Sequence, residues 1–165
     1  MDKNESKIPV KGVVPLDQMV GDDDEDTKLL RMMASGAETF IRSFPWCKSI
    51  REVYFGDGYG GVVAVFLFHI EPTQAADEWL WVISCDVSTA FLVTDSCKTP
   101  SQALEGYIDE MFKWVQLAKQ GHSSKNVIPV YMRATPENAV DVEKRLKILR
   151  EVIVPAFREA ETVRA

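Results

Sequence analysis

The sequence predicts a single α+β domain: an antiparallel meander of four to five strands packed with three helices, in the order α-β-β-β-β-α-(β)-α. Three observations predict it. Apolar residues recur at steps of three and four in three separate stretches, which is the helical period. Between the first and second of these stretches lie four short runs rich in β-branched and aromatic residues. The connections between those runs are too short for a crossover helix, so neighbouring strands pair antiparallel. With 165 residues, 46% of them hydrophobic, the chain has material for one core and one domain.

Residues 1–26 carry few large apolar groups and end in Gly21-Asp22-Asp23-Asp24-Glu25-Asp26, a run whose mutual repulsion opposes close packing. A mobile acidic arm is expected there, ahead of a domain over residues 27–160. From Thr27, the residues Leu30, Met33, Ala37, Phe40, Ile41 and Phe44 share one stripe of a helix, with Asp26 or Thr27 as its cap and Pro45 as its stop. The acidic run then sits where a helix N-terminus favours negative charge.

Residues 50–55 and 62–70 flank Gly56-Asp57-Gly58-Tyr59-Gly60-Gly61, which reads as a hairpin whose glycines supply positive φ. Residues 79–85 alternate, with Trp79, Trp81, Ile83 and Cys85 on one face and Leu80 and Val82 on the other, and residues 90–94 give a fourth strand. Thr99-Pro100-Ser101-Gln102 combines a capping threonine, a first-turn proline and a reciprocal glutamine. It opens a helix to about Gln120, with Leu104, Tyr107, Ile108, Met111, Val115 and Ala118 as its stripe and Gly121 as its left-handed terminus. Thr135-Pro136-Glu137-Asn138 opens another, striped by Ala139, Val142, Leu146, Leu149 and Ile153 and ending near Pro155. Between these two helices, residues 127–132 read as a short edge strand, because Pro129 cannot donate to a central ladder.

Residues 62–70 are apolar on both faces: Val63, Val65 and Leu67 alternate with Val62, Ala64, Phe66, Phe68 and Ile70. Such a strand needs cover on both sides. Either the helices divide between the two faces, or they stack on one and leave the other for a second copy of the chain.

Composition excludes several function classes. No apolar run is long enough to cross a membrane, and the opening residues lack the apolar segment of a signal peptide. Three cysteines without a C-x-x-C pair fit a reducing cytoplasm. A net charge of −6 repels phosphate backbones, so no nucleic-acid partner is expected.

Gly56, Gly58 and Gly61 satisfy G-x-G-x-x-G, but a strand follows where a dinucleotide fingerprint needs a helix, and the lysine, H-R-D and D-F-G of a kinase are missing. No cofactor is expected. His69 and His122 are the only histidines; with Cys47, Cys85 and Cys97 scattered, they make no metal set. His122 suits the end of a helix, where an imidazole complements the dipole. For nucleophilic chemistry the candidates are Cys85 and Asp86 at a strand end, with His69 as the base if the strands pair in the right register. For binding, Trp79 and Trp81 point the same way, and Asp57 with Tyr59 sits at the hairpin tip. Two functions follow as expectations. The first is a non-enzymatic module acting through contacts with a protein partner or with itself as a homodimer; the alternative is a small enzyme, cysteine-dependent or ligand-binding, centred on Cys85, Asp86 and His69. A small apolar ligand between sheet and helices stays open, since pockets leave little trace in a sequence.

Overall fold

The computed structural model describes residues 7–75, 77–122, 130 and 132–164. A five-stranded antiparallel sheet runs in chain order: β1 (Val14–Pro15), β2 (Cys47–Tyr59), β3 (Val63–Pro72), β4 (Trp79–Cys85) and β5 (Ala90–Val93). The helices are α1 (Asp24–Arg42), α2 (Pro100–Lys119), α3 (Pro136–Ile148) and α4 (Val154–Arg164), the last two joined by a π turn at Leu149–Ile153 into one rod. The α+β class and the meander are as the sequence predicts.

The helices divide between the two faces of the sheet. On one face, Leu30, Ala34, Ala37 and Ile41 of α1 pack on Ala64, Phe66, Phe68 and Ile70 of β3 and on Leu80 and Val82 of β4. On the other, Leu104, Tyr107, Ile108, Met111 and Val115 of α2 lie over Val63, Val65, Leu67, Trp81 and Ile83, with Val142, Leu146 and Phe157 of the long rod packed behind. The chain thus builds two cores with β3 as their common wall, and Val63 through Ile70 are buried without a break. A second copy is not needed to cover either face.

Three expectations are corrected, at the start of α1, at the hairpin turn and at Pro155. Over the described part of the N-terminal segment, Val14 and Pro15 pair with Phe55 and Tyr54, the Lys11 N–H donates to the Lys98 carbonyl at 2.8 Å, and Val10 and Met19 are buried. Two apolar anchors and an available sheet edge suffice, because the repelling acids are placed at a helix N-terminus, whose partial positive charge offsets them. That helix begins at Asp24 with Asp23 as its cap, whose Oδ1 accepts from the Asp26 N–H at 2.8 Å. Asp26 is employed elsewhere: its carboxylate accepts from the Gly60 N–H at 2.6 Å and the Asp22 N–H at 2.8 Å, tying the hairpin tip to the start of α1.

The hairpin turn is shorter than the glycine segment. β2 runs through Asp57 to Tyr59 with a bulge between Phe55 and Asp57, and among residues 56–61 positive φ occurs at Gly61 alone. Gly56 and Gly58 serve close approach: a Cβ would lie 2.8 Å from Pro100 Cγ at the first and 2.9 Å from Ala64 Cα at the second.

Pro155 does not end its helix. A proline lacks the N–H and crowds the carbonyl one turn back, and the widened π turn just before it absorbs that conflict so that the rod continues to Arg164. The strand expected at 127–132 lies largely outside the described residues; Val130 and Met132 are half-buried against the α2-side core and outside any strand. The fifth strand is β1.

Candidate functional site

The antiparallel ladder decides the geometry of the cysteine candidates. Val63 lies opposite Cys85 while His69 lies opposite Trp79, so His69 and Cys85 sit at opposite ends of the β3–β4 pair. At ~3.3 Å per residue the separation is about 20 Å. The structure brings Cys85 and Asp86 together, Sγ to Oδ1 at 3.4 Å, and leaves His69 out of reach. Burial, reinforced by the Asp86 charge, pushes the Cys85 thiol up to about 11, against which the Val87 N–H and the Tyr107 hydroxyl act in the opposite direction. Tyr107 is itself raised by burial and by its acidic neighbours, and its hydroxyl donates to the Ser88 carbonyl at 2.7 Å. The nearby cation Arg145 pairs with Asp86 at 3.4 Å and with Asp141 at 3.4 Å. Cys85 is therefore a neutral thiol at pH 7, without the base or cation that activates a nucleophile.

His69 is buried for structural reasons. Its ring stacks parallel on Trp79 with centroids 4.0 Å apart, and Nε2 lies 3.4 Å from Glu78 Oε2. Glu52 faces it across the ladder and accepts from the Tyr54 hydroxyl.

The binding candidates part company. Trp81 is fully buried, its Nε1–H donating to the Cys97 carbonyl at 2.8 Å, which makes it a core residue that pins the loop before α2. Trp79 is half-buried between His69 and Tyr54, the latter ring at 6.1 Å. Tyr59 stacks on Phe157 of α4 at 6.2 Å, and burial together with Asp57, Asp22, Asp26 and Glu159 raises its hydroxyl. Asp57 turns its carboxylate to the neighbouring Gly58 N–H at 2.9 Å. These two belong to the packing of the hairpin tip and are not assembled with the tryptophans.

One cluster has no counterpart among the sequence candidates. Phe40 on the last turn of α1, Phe44 and Trp46 in the turn just after it and Phe91 on β5 converge: Phe44 stacks on Trp46 at 4.8 Å and meets Phe91 edge-on at 5.3 Å, and Trp46 lies 5.2 Å from Phe91. All four are half-buried, and Val93, next outward-facing on the same side of β5, is 39% exposed. The i, i+4 spacing of Phe40 and Phe44 with Trp46 two residues on was the available signal. Phe91 enters only through the β4–β5 register, which sets it opposite Val82.

Among the described residues, no group of three or more His, Cys, Asp or Glu side chains is placed to hold a metal ion, and no helix is long and apolar enough to cross a membrane. The N-terminus of α2 is already filled from within: Glu161 accepts from the Ser101 N–H at 2.8 Å and from its hydroxyl at 2.7 Å. Beside the outermost strand, the structure leaves a half-buried apolar aromatic cluster. No known protein family, curated protein or solved structure matches the chain.

Proposed function

We propose that the protein is a non-enzymatic module that works through protein contacts, with Phe40, Phe44, Trp46, Phe91 and Val93 as its contact surface. The observation that carries this reading is a cluster of four contacting aromatic rings, each half-buried, at the margin of a sheet whose two faces are otherwise covered. Large rigid rings give up little conformational entropy on association, and clusters of them anchor interfaces. Solvated, the same rings leave an apolar patch of the kind that monomers keep small. Cysteine chemistry is the weaker reading, given a protonated thiol and a distant histidine. The free thiols Cys47, Cys85 and Cys97 support a reducing compartment such as the cytoplasm, and the net charge of −6 supports a protein partner over a nucleic acid.

The surface is tested with anilinonaphthalene sulfonate, a dye that fluoresces on exposed apolar clusters. At dilutions where the chain is monomeric, the native protein is expected to bind it with energy transfer from Trp46, and the double variant Phe44→Ser/Trp46→Ser to lose most of the signal while keeping its far-ultraviolet circular dichroism. A folded, monomeric protein that leaves the dye dark would overturn the reading.

A further inference from the structure

We infer that the occupant of this surface is a second copy of the chain, paired antiparallel β5 to β5 across a twofold axis normal to the sheet, so that two five-stranded sheets join into one. The inference rests on the contact reading above and adds the partner and the geometry.

The edge itself points to a strand partner. Among the described residues β5 pairs with β4 alone, in an unbroken register from Leu80↔Val93 to Ile83↔Ala90. Alternate residues of such an edge turn N–H and C=O away from their single neighbour. Folded chains blunt exposed edges with proline, lysine, bulges or extreme shortness, because a bare edge recruits other strands. Ala90-Phe91-Leu92-Val93 is short, at four residues, but carries no charge, no proline and no bulge.

The opposite margin of the sheet shows what protection looks like, and so selects the partner. β1 is two residues long and ends in Pro15, and its neighbour β2 carries three register shifts. Head-to-tail addition of β5 onto this margin is therefore disfavoured, since β1 is short and proline-ended and the part of β2 beyond it is irregular, and growth into a filament is disfavoured with it. A chain with one open and one protected edge closes as a dimer when the open edges meet.

Self-pairing also satisfies the side chains. A twofold axis normal to the sheet keeps each residue on its own face, so the crossing point lies at Phe91 or at Leu92 and sets Phe91 opposite the Phe91 or the Val93 of the second copy. Both registers bring the two aromatic clusters side by side on the α1 face. In neither register do acids meet within the ladder, because residues 90–93 carry no charge. A chain of net charge −6 thus meets its own copy at a stretch free of like-charge opposition.

The test is light scattering of the full chain over a concentration series, with amide hydrogen exchange read at residues 90–93. A mass of two chains is expected, with exchange at β5 slowing as concentration rises. Val93→Lys places a lysine on the edge and is expected to weaken the dimer by about tenfold or more, roughly 1.4 kcal/mol, while the uncharged strand former in Val93→Thr keeps it. Thermal unfolding shows that both variants fold. A chain that stays monomeric at every concentration overturns the dimer, as does a dimer indifferent to Val93→Lys with β5 amides exchanging freely. Dye binding at Trp46 separates this failure from failure of the contact reading: a monomer that binds dye retains the surface and loses only the second copy as occupant.

Discussion

Individual side chains account for features that composition alone renders ambiguous. The run Asp22–Asp26 resembles a repelling tail by count, yet each carboxylate that the structure engages has a backbone donor: Asp23 caps α1, and Asp26 holds Gly60 and Asp22. Cys85 is similar. By sequence it sits where nucleophiles are presented; by environment it is a half-buried thiol raised from 9.0 to about 11. Two consequences can be measured. Alkylation of Cys85 by iodoacetamide in the native state is expected to be slow at pH 7 and to accelerate toward pH 11, as followed by mass spectrometry of the labelled peptide. A folded-state value above the unfolded one means that the native state holds its proton longer, so the associated stability is fully present below pH 9 and is lost as pH rises through about 11. Urea midpoints are expected to fall over that interval, and to fall less in Cys85→Ala. Rapid alkylation at neutral pH would contradict the burial described for this thiol.

At the scale of elements, the glycine-rich hairpin carries a specific expectation. Gly58 sits in an extended strand where a Cβ would lie 2.9 Å from Ala64 Cα, Ala64 Cβ and the Val63 carbonyl oxygen, all parts of a buried neighbouring strand that has little room to yield. Gly58→Ala is expected to destabilise by about 1–3 kcal/mol through this overpacking. Gly36, on α1 with open space around it, provides the contrast: Gly36→Ala is expected to stabilise by up to ~1 kcal/mol, with chemical denaturation as the measurement. Legibility also varied element by element, for physical reasons. The Thr99 and Thr135 caps, whose Oγ1 atoms accept from the Gln102 and Asn138 N–H groups at 3.3 and 3.2 Å, were readable because capping chemistry is local to four residues. The bounds of β4 were readable because an apolar run is closed by Asp77-Glu78 before it and Asp86 after it. The turn at Gly61 was misplaced because a glycine needed for close approach and one needed for positive φ look alike in a sequence. Pro155 misled because a π turn reconciles it with a helix, and β1 was overlooked because two residues carry no periodicity. The aromatic cluster joins the end of α1 to β5, and only strand order brings Phe91 to Phe44; the separation of His69 from Cys85 depends likewise on register, which alternation leaves open.

For the molecule as a whole, the governing fact is that one strand borders two cores. Phe66 faces α1 and Leu67 faces α2, and both are fully buried. Phe66→Ala is expected to cost about 3–5 kcal/mol. The loss should be seen equally from the other side of the sheet, with the fluorescence of Trp114, in the α2-side core, shifting its urea midpoint together with circular dichroism. Two separate transitions would show that the halves unfold independently. The same geometry bears on how the chain tolerates change. An ordinary half-solvated strand offers every second position to polar replacement, whereas positions 63–70 offer none, His69 being tolerated by virtue of its stack on Trp79. In a library of single variants these eight consecutive codons would stand out as the longest block intolerant of hydrophilic substitution, a forbidden zone through the middle of the gene.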